Sequence, residues 1–164
     1  MMRRELRVRK AHVSDRDRIL EIYSIARQFM KMTGNPRQWG DTSPRQSLID
    51  GDLENGTGYV VEDGGKVIGC FAMLDGPDPT YTRIYDGEWL NEEPYIVIHR
   101  VASDGTGGVL GACLDYCSGI CRNIRIDTHR ENRVMQHLLY KHGFRYCGTI
   151  YIDDGTPRMA FQRY

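Results

Sequence analysis

Three glycines in five residues, Gly105, Gly107 and Gly108, separate a strand-like run from a helix-like one near the middle of this 164-residue chain. The surrounding segment, Pro94 to Asn132, reads PYIVIHRVASDGTGGVLGACLDYCSGICRNIRIDTHREN. Tyr95 to Val101 is rich in Ile, Val and Tyr, as a buried or half-buried strand requires. Asp104 to Gly108 is too bare for regular structure. From Val109 to Cys121, Leu110, Cys113, Leu114, Cys117 and Ile120 or Cys121 recur at helical spacing, and Ile124 to Asp127 is a second short strand. A bare turn feeding a helix start offers unpaired N–H groups and the positive end of a helix dipole, an arrangement suited to phosphate. Neither G-x-G-x-x-G nor G-K-[ST] occurs, so the turn is neither a dinucleotide fingerprint nor a P-loop.

Charge narrows the possible partners. The chain carries 22 basic and 22 acidic residues, so general attraction to nucleic acid or a membrane surface is not expected. The basic start (Arg3, Arg4, Arg7, Arg9, Lys10) alternates with Leu6 and Val8, which fits a solvated strand face. No apolar run has the length of a membrane span, and the N-terminus is too charged for a signal peptide. The five cysteines lack paired C-x-x-C spacing. Cys113, Cys117 and Cys121 share one helix side and read as small core residues rather than soft-metal ligands, so no metal is expected. The expected compartment is a reducing cytoplasm.

The rest of the chain divides cleanly. Leu6 to Lys10 is a strand. Ser14 caps a helix whose inner face is Ile19, Leu20, Ile22, Tyr23, Ala26, Phe29 and Met30, and which Gly34-Asn35-Pro36 ends. Trp39 follows in the polar loop WGDTSP, where it either folds onto the core or lines a pocket. Ser43-Pro44 opens a second helix that ends near Asn55-Gly56. Gly58–Glu62 and Lys66–Leu74 form a hairpin about Asp63-Gly64-Gly65. Asp75 to Glu93 is a long irregular stretch carrying Tyr81, Ile84, Tyr85 and Trp89. Such a segment is either functional or a turn packing its own aromatics. Beyond the central unit come a helix from Glu131 to Lys141, with Val134 or Met135, Leu138 and Leu139 inward, and a hairpin of Phe144–Ile152 and Arg158–Arg163. The whole is one α+β domain, residues 1–164, without repeat or linker.

This order, together with Ile98-His99-Arg100-Val101-Ala102 before the turn and the run Asp127-Thr128-His129…Asn132…Gly143-Phe144, resembles the GNAT family of acetyl-CoA-dependent N-acetyltransferases over nearly the whole chain. The resemblance implies a three-layer α/β/α fold on a mixed, mostly antiparallel sheet whose central strands splay apart. It implies acetyl-CoA as co-substrate. The pantetheine arm would lie along Val101 and Ala102, and the pyrophosphate on N–H groups of Gly105, Thr106, Gly107, Gly108 and Gly111. Asn132 matches the polar residue that commonly contacts the cofactor. The family's turn, (Q/R)-x-x-G-x-(G/A), is kept only in part: Thr106 stands at the Q/R position and Val109 at the first glycine. The family's general-acid tyrosine aligns with Leu139, one residue before Tyr140, and a helix distortion would be needed to bring Tyr140 into place.

The implied reaction is direct acetyl transfer to an amine, which calls for a base near neutral pKa. His99 is the candidate catalytic residue, with His129 second. A core hydrogen bond is the alternative role for His99. A strand N–H near Val101 would polarise the thioester carbonyl. Trp39, Tyr81, Tyr85 and Trp89 are the candidate substrate-binding wall. The expected acceptor is a small-molecule amine, amino acid or peptide N-terminus, and the expected state a monomer or homodimer. The competing function on the same fold is a non-catalytic CoA or small-ligand binding domain.

Overall fold

The computed structural model describes residues 4–164; Arg3 of the basic start lies outside them. The strands are β1 (Leu6–Lys10), β2 (Gly58–Asp63), β3 (Lys66–Asp75), β4 (Ile96–Ser103), β5 (Ile124–Thr128), β6 (Arg145–Tyr151) and β7 (Pro157–Arg163). The helices are α1 (Arg16–Met32), α2 (Gln46–Asn55), α3 (Val109–Ser118) and α4 (Arg133–Lys141). One seven-stranded sheet runs β1-β2-β3-β4-β5-β7-β6, antiparallel except between β4 and β5. The α+β class, the sheet and its splayed centre agree with the sequence reading.

Alternation along the strands builds the layers, because successive side chains leave opposite faces of a strand. Tyr59, Val61, Ile96, Ile98, Ile124, Ile126 and Phe161 face one side, where Val109, Leu110, Cys113, Leu114 and Cys117 of α3 and Leu139 of α4 cover them. Val60, Val67, Cys70 and Ala102 face the other side, under Ile19, Ile22, Tyr23 and Ala26 of α1 and Ile49 of α2. Gly69 lets α3 press onto the sheet: a Cβ there would stand 2.6 Å from a Val109 methyl.

Helices α1 and α2 do not reach the far end of this second face. The irregular segment 76–95 covers it instead. Tyr81 is buried with Val97, Ile150 and Ala160, and Trp89 and Tyr95 pack around them. The Arg125 guanidinium is stacked between the Trp89 and Tyr95 rings, at 4.2 and 3.9 Å from their centroids. Buried Gln162 donates to Asn123 Oδ1 at 2.7 Å and accepts from the Leu90 N–H at 2.8 Å. The aromatics of this stretch are thus largely core.

Local departures from the sequence reading have plain causes. Ser14 does not cap α1. A short 3₁₀ turn at Val13–Asp15 precedes the helix, and the Asp15 carboxylate takes the His12 N–H and the Arg9 guanidinium. The second helix starts after Arg45 rather than at Ser43-Pro44. Phe29 and Val134 are exposed.

Candidate active site

The two parallel strands at the centre are in register only at Ile96↔Ile124 and Val97↔Arg125. Beyond that they diverge and open a cleft of about 810 Å³. One wall is His99, Arg100 and Val101 of β4; the opposite wall is Ile126, Asp127 and Thr128 of β5. Trp39, Asp78, Asn132, Met135 and Arg158 also line it.

A bulge turns β4 where it leaves its partner. Cys70 pairs with Ala102 and Ala72 with His99, so Arg100 and Val101 together face Phe71. Arg100 takes a left-handed conformation, φ 58°. It is held by a bidentate pair with Asp52 of α2 at 2.8–2.9 Å, and its carbonyl accepts from the Tyr23 hydroxyl at 2.8 Å.

His99 lies in the cleft wall. Its Nε2 is 2.8 Å from Asp78 Oδ2, and its Nδ1 is 4.0 Å from Asp127 Oδ2. Asp78 is itself fixed, accepting from the Thr80 N–H and hydroxyl at 2.8 and 2.7 Å. Burial acts to raise the Asp78 pKa, but the His99 and Thr80 hydrogen bonds outweigh it and bring it to about 2. An ionised carboxylate only accepts, so Nε2 carries a hydrogen, and in the neutral ring the lone pair is on Nδ1. Asp127 is different. Burial raises its pKa, against the lowering influence of His99, the Tyr81 hydroxyl and Arg158. Tyr81 OH donates to Asp127 Oδ2 at 2.6 Å.

The glycine-rich turn is preorganised by its own side chains. Gly105 N–H donates to Ser103 Oγ at 3.1 Å, and Thr106 N–H to Asp104 Oδ1 at 2.9 Å. These two amides are therefore not free donors, contrary to the expectation for Gly105 and Thr106. The open donors lie further along. Gly108 (φ 95°) precedes α3 without a side-chain cap, and the first intrahelical bond at this end runs from Ala112 N–H to Gly108 O. The amides of Val109, Leu110 and Gly111 precede that bond. The Gly107 carbonyl accepts from Arg4 at 3.0 Å.

The structure brings His99, Val101, Asn132 and Trp39 together in the cleft. Trp39 packs edge-on against Tyr23, with centroids 5.5 Å apart. Ala102 is buried under α1. Asn132 caps α4 through Met135 N–H and donates to Gln38 at 2.9 Å, so its side chain is already engaged. Tyr81, Tyr85 and Trp89 do not form a substrate wall. Tyr81 is buried behind His99, Trp89 donates to the Tyr81 carbonyl at 2.9 Å, and Tyr85 bridges to Thr149 on the outside. Their hydrophobic surface covers the sheet face that the helices leave bare. His129 Nδ1 accepts from the Glu131 N–H at 3.0 Å, and burial lowers its pKa. Tyr140 is 53 % exposed on a regular α4, edge-on to Phe161, while Leu139 points into the core. No helix distortion brings Tyr140 inward.

Sequence reasoning missed Asp78, Thr128 and Arg158. Asp78-Pro79 before Thr80 carries a capping signal that marks a fixed carboxylate. Thr128 sits 1 % exposed with its hydroxyl unpartnered among the described residues. Nothing local marks Arg158.

No family model and no curated protein matches the sequence. Solved structures do. A GNAT-family acetyltransferase from Streptococcus agalactiae is 30 % identical, with a TM-score of 0.82, over 96 % of this chain and 94 % of that one. A GNAT-family acetyltransferase from Listeria monocytogenes (18 %, TM-score 0.70, 96 % and 94 %) shares the fold. So does yncA from Salmonella typhimurium, solved with its cofactor acetyl-CoA (16 %, TM-score 0.60, 96 % and 92 %).

Proposed function

Because the chain belongs to the GNAT family of acetyltransferases, we propose that it is an acetyl-CoA-dependent N-acetyltransferase, with residues 1–164 as one catalytic domain. Its acceptor is the amine of a small molecule, an amino acid or a peptide N-terminus. The observation that carries this reading is the splay: two registered pairs, then a cleft with an oriented histidine in its wall.

The residues fit such a co-substrate. The uncapped amides at the start of α3 suit a pyrophosphate. Acetyl-CoA supplies an acetyl group already activated as a thioester. His99 does the proton work: Nδ1 takes a proton from the acceptor's ammonium group while Asp78, on Nε2, stabilises the imidazolium that results. Tyr81 holds Asp127 beside the ring. Titration calorimetry with acetyl-CoA, followed by thiol release over an amine panel, tests the reading. Micromolar binding and turnover that is lost in His99→Gln are expected. Absence of heat at millimolar acetyl-CoA would sink it.

The outward position of Tyr140 favours a second reading, a domain that binds CoA without catalysis, since no tyrosine of α4 reaches the cleft to reprotonate a thiolate. Tight binding with no thiol release from any amine would select it.

A further inference from the structure

Arg158 is the cleft residue that the proposed chemistry at His99 leaves unexplained. It is 7 % exposed, lines the cleft, and has no carboxylate within 4.0 Å among the described residues. Its partners there are neutral. Nη1 donates to Thr156 Oγ1 at 3.1 Å and to the Pro157 carbonyl at 2.9 Å, and Nη2 to the Gln38 carbonyl at a long 3.5 Å. A guanidinium has five N–H donors in a planar fork, so Nε–H and one Nη2 hydrogen remain without a partner. Nε and Nη2 form the edge of the guanidinium that matches a carboxylate bidentately.

A buried cation ordinarily sits against a buried anion. Asp127 and Asp154 act on Arg158 from a distance, partly offsetting the burial that lowers its pKa. Neither completes the fork. Asp154 is engaged by the Thr156 N–H and hydroxyl at 2.8 and 2.6 Å, and Asp127 takes the Tyr81 hydroxyl and is shifted toward its neutral form.

Position links this edge to the base. Asp127 pairs with Ala160 across β5 and β7, and Arg158 lies two residues before Ala160, hence on the same face and about 7 Å along the strand. On its other side Asp127 lies 4.0 Å from His99 Nδ1. A basic and a cationic group thus flank one buried carboxylate in one cleft.

We infer that the acceptor carries a carboxylate as well as its amine, an amino acid or short peptide, and that Arg158 binds that carboxylate while His99 receives the amine. This rests on the acetyltransferase reading and specifies its substrate class. It makes Arg158 a specificity-determining residue.

The test compares the twenty L-amino acids and a set of dipeptides with their C-terminal amides, by thiol release from acetyl-CoA. The intact enzyme should prefer the acid over the matching amide by about 10- to 100-fold in kcat/KM, as loss of a charge-assisted hydrogen bond dictates. Arg158→Gln should bring that ratio toward unity, chiefly through the KM of the acid, and Arg158→Lys should restore part of it. A structural role alone would lower acid and amide together and leave the ratio intact. An enzyme that binds acetyl-CoA but acetylates amides as well as acids, or no acid at all, overturns the inference while leaving the acetyl-CoA site standing. Failure to bind acetyl-CoA would instead remove the reading beneath it.

Discussion

His99 Nε2 and Asp78 Oδ2 meet at 2.8 Å across 21 residues of chain, joining the bulged strand of the cleft to the irregular segment that covers the sheet's far face. The contact fixes the ring's tautomer and supplies a charge that an imidazolium would need. Asp78→Asn keeps an acceptor for Nε2 but removes that charge. Its kcat/KM should fall on the order of 10²-fold, and His99→Gln on the order of 10²- to 10⁴-fold. The pH profile separates the two: the acid limb should vanish in His99→Gln and persist in Asp78→Asn. Equal profiles would remove His99 from the role of base.

Arg100 holds a left-handed backbone, φ 58°, at the point where β4 bends away from β5, and its ion pair with Asp52 anchors that bend to α2. Arg100→Ala and Arg100→Gly both lose the pair, so both should be less stable than the wild type by about 1–3 kcal/mol in urea unfolding. Glycine relieves the backbone conformation that alanine must still bear. Arg100→Gly should therefore be more stable than Arg100→Ala by about 1 kcal/mol. The reverse order would show that the left-handed residue is not what shapes the bulge.

Gly87 lies against β6 so closely that an added Cβ would stand 1.9 Å from the Cys147 carbonyl oxygen. That neighbour is backbone and cannot rotate aside. Next to it, Tyr85 and Thr149 exchange two backbone hydrogen bonds of 2.8 Å. Gly87→Ala should push the covering segment off the sheet and cost at least about 2 kcal/mol. Limited proteolysis should then cut within residues 82–92, where the wild type resists. An unchanged digestion pattern would mean that the segment is not held through this contact.

These contacts also mark where the sequence stops being legible. Both hairpins, the strand–turn–helix unit and the presence of each helix were readable because their signals are local: Gly64-Gly65, and apolar residues at periods of two or 3.6. His99 was readable as a candidate from its strand and the resemblance that strand carries. Asp78, Thr128 and Arg158 were not, because their meaning is set by distant pairing. Arg158 enters the cleft only because β7 inserts between β5 and β6. The aromatics Tyr81, Tyr85 and Trp89 looked like a ligand wall because composition cannot distinguish a binding surface from a lid over bare sheet. That distinction depends on α1 and α2 ending short of β7 and β6, which no window of sequence contains.

The two carboxylates flanking His99 are shifted in opposite directions, and that sets opposite pH dependences. Asp78 is depressed from 3.8 to about 2 in the folded protein. Its contribution to stability is thus present above the unfolded value and is lost as pH falls from about 3.8 through about 2, on the order of 1–2 kcal/mol. Asp127 is raised above 3.8 by burial, so its contribution is present at low pH and lost as pH rises through the folded value. Asp78→Asn should accordingly be less stable than the wild type at pH 7 and converge with it near pH 2. Asp127→Asn keeps an oxygen for the Tyr81 hydroxyl and removes the cost of a buried charge, so it should equal or exceed wild-type stability at pH 7. Urea unfolding of both variants between pH 2 and pH 7 measures this. If Asp127→Asn proves as destabilising at pH 7 as Asp78→Asn, then Asp127 is anchored by its charge, to His99 and Arg158 together, and both carboxylates beside His99 are ionised rather than Asp78 alone.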